Sequence, residues 1–116
     1  MTKAKPTKHD IGKRVYVYIE GKTGTLSKNL VVEVLGERLI IPKGFETDFR
    51  TSGGYKPLGT YTRAAVVHDY VYSTKKFSRA KCDKMFLILC ISDKTPIWKS
   101  VFMYAMVRMF GGKHYG

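Results

Sequence analysis

Two helical stretches lie almost end to end in this chain: AAVVHDYVYST, residues 64–74, and SRAKCDKMFLILCI, residues 78–91, with only Lys75, Lys76 and Phe77 between them. So short a connection forces the second stretch back alongside the first, as an antiparallel helical hairpin. With the turn centred near residue 76, His68 lies eight positions before it and Asp83 seven after, at nearly equal height. Facing one another, they would form a hydrogen bond in which the carboxylate fixes the tautomer and orientation of the imidazole, as it does for a general base.

Asp69 cannot share that direction, because consecutive helical residues are turned by about 100°. It points into a neighbouring sector, where it could meet the segment KGFETDFRTSGGYKPLGT, residues 43–60, and hold a hard cation through carboxylate and backbone oxygens. A connection of this length is more often functional than filler. A second reading of the same residues is structural: His68 and Asp83, joined by Tyr72 with Arg63 or Arg79, form a buried network that fixes how the helices meet. Spacing alone leaves both readings open.

Around the hairpin the pattern is that of an α+β domain. Val15, Val17 and Ile19 alternate with Tyr16 and Tyr18 as in a strand, and NLVVEVL and RLIIP flank Gly36-Glu37 as a hairpin, so the first third forms a small antiparallel sheet. Three helices follow. The first is capped by Thr60 or Thr62 and runs to about Thr74; the second is capped by Ser78. The third has Thr95 as its cap, Pro96 at its first position and Gly111-Gly112 beyond its end. Its apolar residues Ile97, Trp98, Val101, Phe102, Ala105, Met109 and Phe110 make a broad stripe expected to pack deeply, with Trp98 as a core anchor and Met103, Met106 and Met109 filling the core.

At 116 residues the chain is one domain, residues 14–116, preceded by a basic arm, residues 1–13, that carries Lys3, Lys5, Lys8 and Lys13. The formal charge of +12 favours an anionic partner: a membrane surface, nucleic acid or an acidic protein. No signal peptide or membrane-spanning run is visible. Cys82 and Cys90 fall on one helix about 12 Å apart, too far to pair, and are expected as free thiols. Tyr16, Tyr18, Tyr55 and Tyr61 among lysines and arginines would suit a nucleic-acid surface, although no motif of a known module is present. A metal-dependent phosphohydrolase built on the His-Asp doublet would need further histidines, and the chain has only His9 and His114, both near its ends.

The motifs GFETDF, YTRAAVVHDYVY, SRAKCDKMF and MYAMVRMFGG together resemble a family of small proteins of unknown function found in phages and prophage-bearing bacteria, over residues 43–112. That resemblance implies a phage protein in the host cytoplasm during infection, with incorporation into the virion also open. The pattern H-D-x-x-Y (His68, Asp69 and Tyr72), followed by an aspartate on the next antiparallel helix, also resembles the active-site helix pair of phospholipases A2, especially compact bacterial and parvoviral forms, over roughly residues 60–112. It implies His68 as general base, Asp83 as its support, Asp69 as a calcium ligand, and Asp48, Gly53 and Gly54 as candidates for the rest of a Ca2+ site. The activity implied is hydrolysis of a lipid ester; the alternative is a non-enzymatic virion or nucleic-acid-associated component.

Overall fold

A computed structural model describes residues 7–12, 15–20, 23–47 and 61–115. Six strands precede four helices: β1 (Thr7–Asp10), β2 (Tyr16–Glu20), β3 (Thr23–Leu26), β4 (Leu30–Val34), β5 (Glu37–Ile41), β6 (Glu46–Thr47), α1 (Thr62–Thr74), α2 (Arg79–Ser92), α3 (Ile97–Phe110) and α4 (Gly112–Tyr115). This is the α+β order read from the sequence, antiparallel strands first and helices after. Asp48, Gly53, Gly54, Tyr55 and Thr60, and the arm lysines Lys3, Lys5 and Lys13, lie outside the described residues.

The strands form two antiparallel sheets, one ordered β1-β2-β3-β6 and the other the hairpin β4-β5. Residues 7–10, within the segment read as a basic arm, pair along β2 from Thr7↔Ile19 to Asp10↔Tyr16. In β4, Leu30, Val32 and Val34 are buried and Val31 and Glu33 exposed, the alternation that puts one strand face on a core. The pairing Val34↔Glu37 leaves a two-residue turn of Leu35 and Gly36, one position earlier than the Gly36-Glu37 turn expected. Both turn residues have positive φ, 51° and 73°, the backbone that matches the twist of the flanking strands. Glycine adopts it freely; leucine does not.

Between α1 and α2 the chain reverses at Lys75, left-handed at φ 53°. Ser78 caps α2 as expected, its Oγ accepting from the Lys81 amide at 3.2 Å. The cap of α1 differs: Tyr61 holds that position without a side-chain capping hydrogen bond, and Thr62 is already helical and buried. At α3 the cap is Pro96 and not Thr95, a shift of one residue. Cys82 and Cys90 are both free and buried, and burial pushes their thiols up to about 11 and about 12. One core runs from Val17, Val32 and Ile41 on the strands through Val66, Val67 and Val71 of α1 to Met85, Phe86 and Leu89 of α2.

The third helix corrects the sequence reading. Only Ser100, Met103 and Val107 of α3 are buried. Trp98 is 74% exposed, Met109 70% and Ile97 68%, and Val101, Phe102 and Phe110 are each about half exposed. Ala105 is exposed and Met106 half-buried. Apolar residues surround nearly the whole helix, so periodicity did not reveal which side faces inward. Burying one such side chain is worth about 1.5–3 kcal/mol, so α3 leaves most of its apolar potential unused.

Replacing Leu35 with Asn, which tolerates the left-handed region, should raise unfolding stability by about 1 kcal/mol in denaturant titrations. Unchanged or lower stability would contradict the positive φ at that turn.

Candidate functional site

His68 and Tyr72 sit one turn apart on α1 and therefore on one face, and both are buried. Opposite them, Asp83 of α2 is fully buried. The His68 Nε2 lies 2.7 Å from Asp83 Oδ1, and the Tyr72 hydroxyl donates to the same oxygen. The other carboxylate oxygen, Oδ2, accepts from Arg108 Nη1 of α3 at 2.9 Å, with Arg79 Nε at 3.8 Å. Three helices thus converge on one carboxylate. The equal-height argument for His68 and Asp83 holds to within hydrogen-bond distance.

Arg79 lies one turn before Asp83 on α2 and spans to α3, where its Nη2 donates to the carbonyls of Val107, at 3.0 Å, and Arg108. Those carbonyls belong to the last turn of α3, where the Val107 oxygen also accepts from the Gly111 amide at 2.8 Å. The following glycines make room for this contact. A Cβ at Gly111 would stand 2.8 Å from the Tyr72 hydroxyl and 2.5 Å from the Val107 oxygen, and one at Gly112 would stand 3.3 Å from Arg79 Nη1. Gly111 has an ordinary helical φ of −73°, so space and not backbone freedom accounts for glycine there. Beyond it, Tyr115 of α4 packs edge-on against Tyr72 and donates its hydroxyl to the Phe77 carbonyl at 2.6 Å.

Arg63 donates through Nε and Nη2 to both oxygens of Asp93, at 2.9 and 2.7 Å, and not to the His68 network. Arg79 is the arginine that joins. Arg108 was not singled out from the sequence; its only signal was its place in the VR motif before the paired glycines.

Electrostatics fix the proton on His68. Hydrogen bonds from His68, Tyr72 and Arg108 hold the Asp83 carboxyl below its ordinary value of 3.8 against the opposing effect of burial, so it is an anion at neutral pH. An anionic carboxylate only accepts, so the proton of the 2.7 Å bond belongs to His68 Nε2. Burial lowers the His68 pKa below 6.5, outweighing the help from Asp83, and the ring is neutral. Nδ1 then carries a lone pair. It is buried without a hydrogen-bond partner among the described residues, with the rings of Tyr72 and Phe86 packed against the imidazole at 4.2 and 5.0 Å. The other such atom, Arg79 Nε, lies 3.8 Å from Asp83 Oδ2, at ion-pair and not hydrogen-bond distance. Burial and the Asp83 charge raise the Tyr72 hydroxyl well above its ordinary value, so it stays a donor.

Asp69, half-buried, points away from this network and lines a cavity of about 320 Å³ with Thr23, Glu46 and Thr47. Glu46 and Thr47 are additions to the residues expected around Asp69, supplied by the strand that starts within the long connection. Carboxylate and hydroxyl oxygens are donors of the kind that suits calcium. Among the described residues no three His, Cys, Asp or Glu side chains form a metal-holding group. Further ligands would have to come from Asp48, Gly53 and Gly54 or others outside the described residues. Of the tyrosines noted in the sequence, Tyr61 is buried with the Lys99 ammonium 5.0 Å from its ring, Tyr16 is half-buried, and Tyr18 is 40% exposed, while Tyr55 lies outside the described residues.

The described residues include no helix long and apolar enough to cross a membrane. A profile of the family described as protein of unknown function (DUF1353) matches residues 25–107. The chain belongs to that family. The matched span takes in His68, Asp69, Tyr72, Arg79 and Asp83, and ends one residue before Arg108. No curated protein and no solved structure matches the chain.

Removing the carboxylate in Asp83→Ala takes the shared acceptor from the buried His68 and Tyr72 donors and from the Arg108 guanidinium, and should cost about 3–5 kcal/mol in unfolding free energy. Tyr72→Phe, which removes one donor to a charged group, should cost about 1.5–3 kcal/mol. His68 and Asp83 both bind protons less readily folded than unfolded, so proton uptake favours unfolding. Stability should be fully present above pH 6.5, fall as His68 is forced to protonate below it, and fall again below pH 3.8 as Asp83 is protonated. Chemical unfolding across that range checks both steps; a flat profile between neutrality and pH 4 would contradict the first.

Proposed function

We propose that the protein is a small calcium-dependent hydrolase of lipid esters, with His68 as general base. The observation that carries this reading is the orphan Nδ1: a neutral imidazole, its tautomer set by Asp83, with a lone pair that no described group uses. A buried polar atom without a partner is uncommon enough in folded proteins to call for an explanation. A water molecule at Nδ1 supplies one. The imidazole takes a proton from that water as its oxygen attacks the ester carbonyl, and the Asp83 carboxylate stabilises the imidazolium that forms. The proton then passes from the imidazole to the departing alkoxide, returning the base to its starting state. Tyr72 and Arg108 act through Asp83 as positioning residues, holding its oxygens while the charge on His68 changes.

Calcium bound by Asp69, with Glu46 or the connection carrying Asp48, Gly53 and Gly54, would supply an electrophile for the ester carbonyl. The phospholipase A2 resemblance in H-D-x-x-Y supports the same assignment: His68 and Tyr72 share Asp83, and Asp69 lies beside Glu46 and Thr47. A phage setting, in the host cytoplasm or the particle, is part of this proposal and rests on the motif resemblance.

A second reading is favoured by the complete burial of His68 and Asp83. In it the network only locks three helices together, and the protein is a non-enzymatic phage component that binds an anionic partner through its charge. The experiment that separates the two is release of fatty acid from phospholipid vesicles, with calcium or chelator, by the wild type and by His68→Asn. The hydrolase reading expects calcium-dependent release and, in the variant, a loss of about 100-fold or more at retained fold, the scale of a missing general base. Equal release by both proteins, or none by the wild type, would contradict it.

A further inference from the structure

The exposed face of α3 has no role in the His68 site. At 100° per residue, Ile97, Trp98, Val101, Phe102 and Met109 fall within one arc of about 140°, with Phe110 beyond its edge. The six large side chains range from 50% to 74% exposed, whereas the opposite face is the narrow one packed on the hairpin through Met103 and Val107. An apolar stripe of this extent turned toward solvent marks an interaction surface.

Charge selects the occupant. From residue 94 to the end the sequence contains Lys94, Lys99, Arg108 and Lys113 and no Asp or Glu. A second copy of the chain would bring another +12 charge against this one, and like charge of that size opposes self-association. Among the described residues the stripe is also the outward side of a single helix, a convex ridge that suits a plane better than a groove-seeking peptide. Tryptophan and phenylalanine on one helix face with cations beside it are what an interfacial helix presents to a bilayer.

We propose that α3 is a membrane-docking helix that seats its Ile97 to Phe110 face in the headgroup region of an anionic lipid surface, with Lys94, Lys99 and neighbouring cations at the phosphates. Trp98 lies within the seated face, with Ile97 and Phe102 at the ends of its arc. The Arg108–Asp83 ion pair ties this helix to α2. The assignment goes beyond the hydrolase reading and does not depend on it: docking requires no chemistry at His68, and binding and turnover are measured separately.

Trp98 is the only tryptophan in the chain, so its emission reports on this face alone. The full-length protein is titrated with vesicles of phosphatidylcholine alone and of phosphatidylcholine and phosphatidylglycerol in equal parts, following emission and co-sedimentation. The expected result is a solvent-exposed spectrum in buffer, a blue shift with the anionic vesicles, and weakening by salt. The double variant Val101→Glu with Phe102→Glu, which changes only exposed side chains and keeps Trp98 as reporter, should lower vesicle affinity about tenfold or more. His68→Asn should bind as the wild type does, whatever its activity.

No blue shift on anionic vesicles, or undiminished binding by the double variant, would overturn the proposal. So would a blue spectrum in lipid-free buffer: with dimers in sedimentation it would assign the face to a second copy, and with monomers to the chain's own residues.

Discussion

The buried carboxylate of Asp83 is the point on which the arrangement of helices depends. A single anion in an apolar interior would be costly enough to drive its own protonation, so the fold surrounds it with donors: the imidazole of His68, the hydroxyl of Tyr72, and the guanidinium of Arg108, with that of Arg79 close by. These come from three helices, and each is fixed by the same acceptor. Pairing of this kind adds less net stability than its Coulomb attraction suggests, because every charge has left water, but breaking it is expensive. The register of α1 against α2 and the rotation of α3 are set together.

Several sequence motifs become physical statements in this light. In SRAKCD, Ser78 caps α2, while Arg79 and Asp83 lie one turn apart so that the cation flanks the carboxylate. In HDYVY, His68 and Tyr72 share a face and Asp69 is turned from it, which separates the imidazole network from the oxygen-lined cavity at Glu46 and Thr47. The paired glycines after α3 let the Arg79 guanidinium and the Tyr72 hydroxyl reach the end of that helix. Spacing that looked like family signature is the geometry of one hub.

Much of this was legible before any coordinates. The three-residue link forced the helical hairpin, and counting outward from it placed His68 opposite Asp83. Alternation in VVEV and RLII gave the β4-β5 hairpin to within one residue of its turn. Arg108 was not legible, because a long cation on a third helix reaches the carboxylate through tertiary packing and leaves no spacing to count. The orientation of α3 was misread for a different reason: with apolar residues nearly all round, period alone does not distinguish a buried face from one offered to a partner. Trp98 looked like an anchor because large apolar residues usually are, whereas the inward side of α3 is the small surface of Ser100, Met103 and Val107. Thr62 looked like a cap and proved to be a buried helical residue.

The central claim is that Asp83 holds His68 as a neutral imidazole with its proton on Nε2, leaving Nδ1 free to accept one. Nitrogen NMR of the His68 ring in labelled protein reads tautomer and charge directly. The account predicts a neutral ring at pH 7 with Nε2 protonated and Nδ1 bare, and no titration of this ring until the pH falls below 6.5. A proton on Nδ1, or an imidazolium at neutral pH, would contradict it and remove the base from the proposed chemistry.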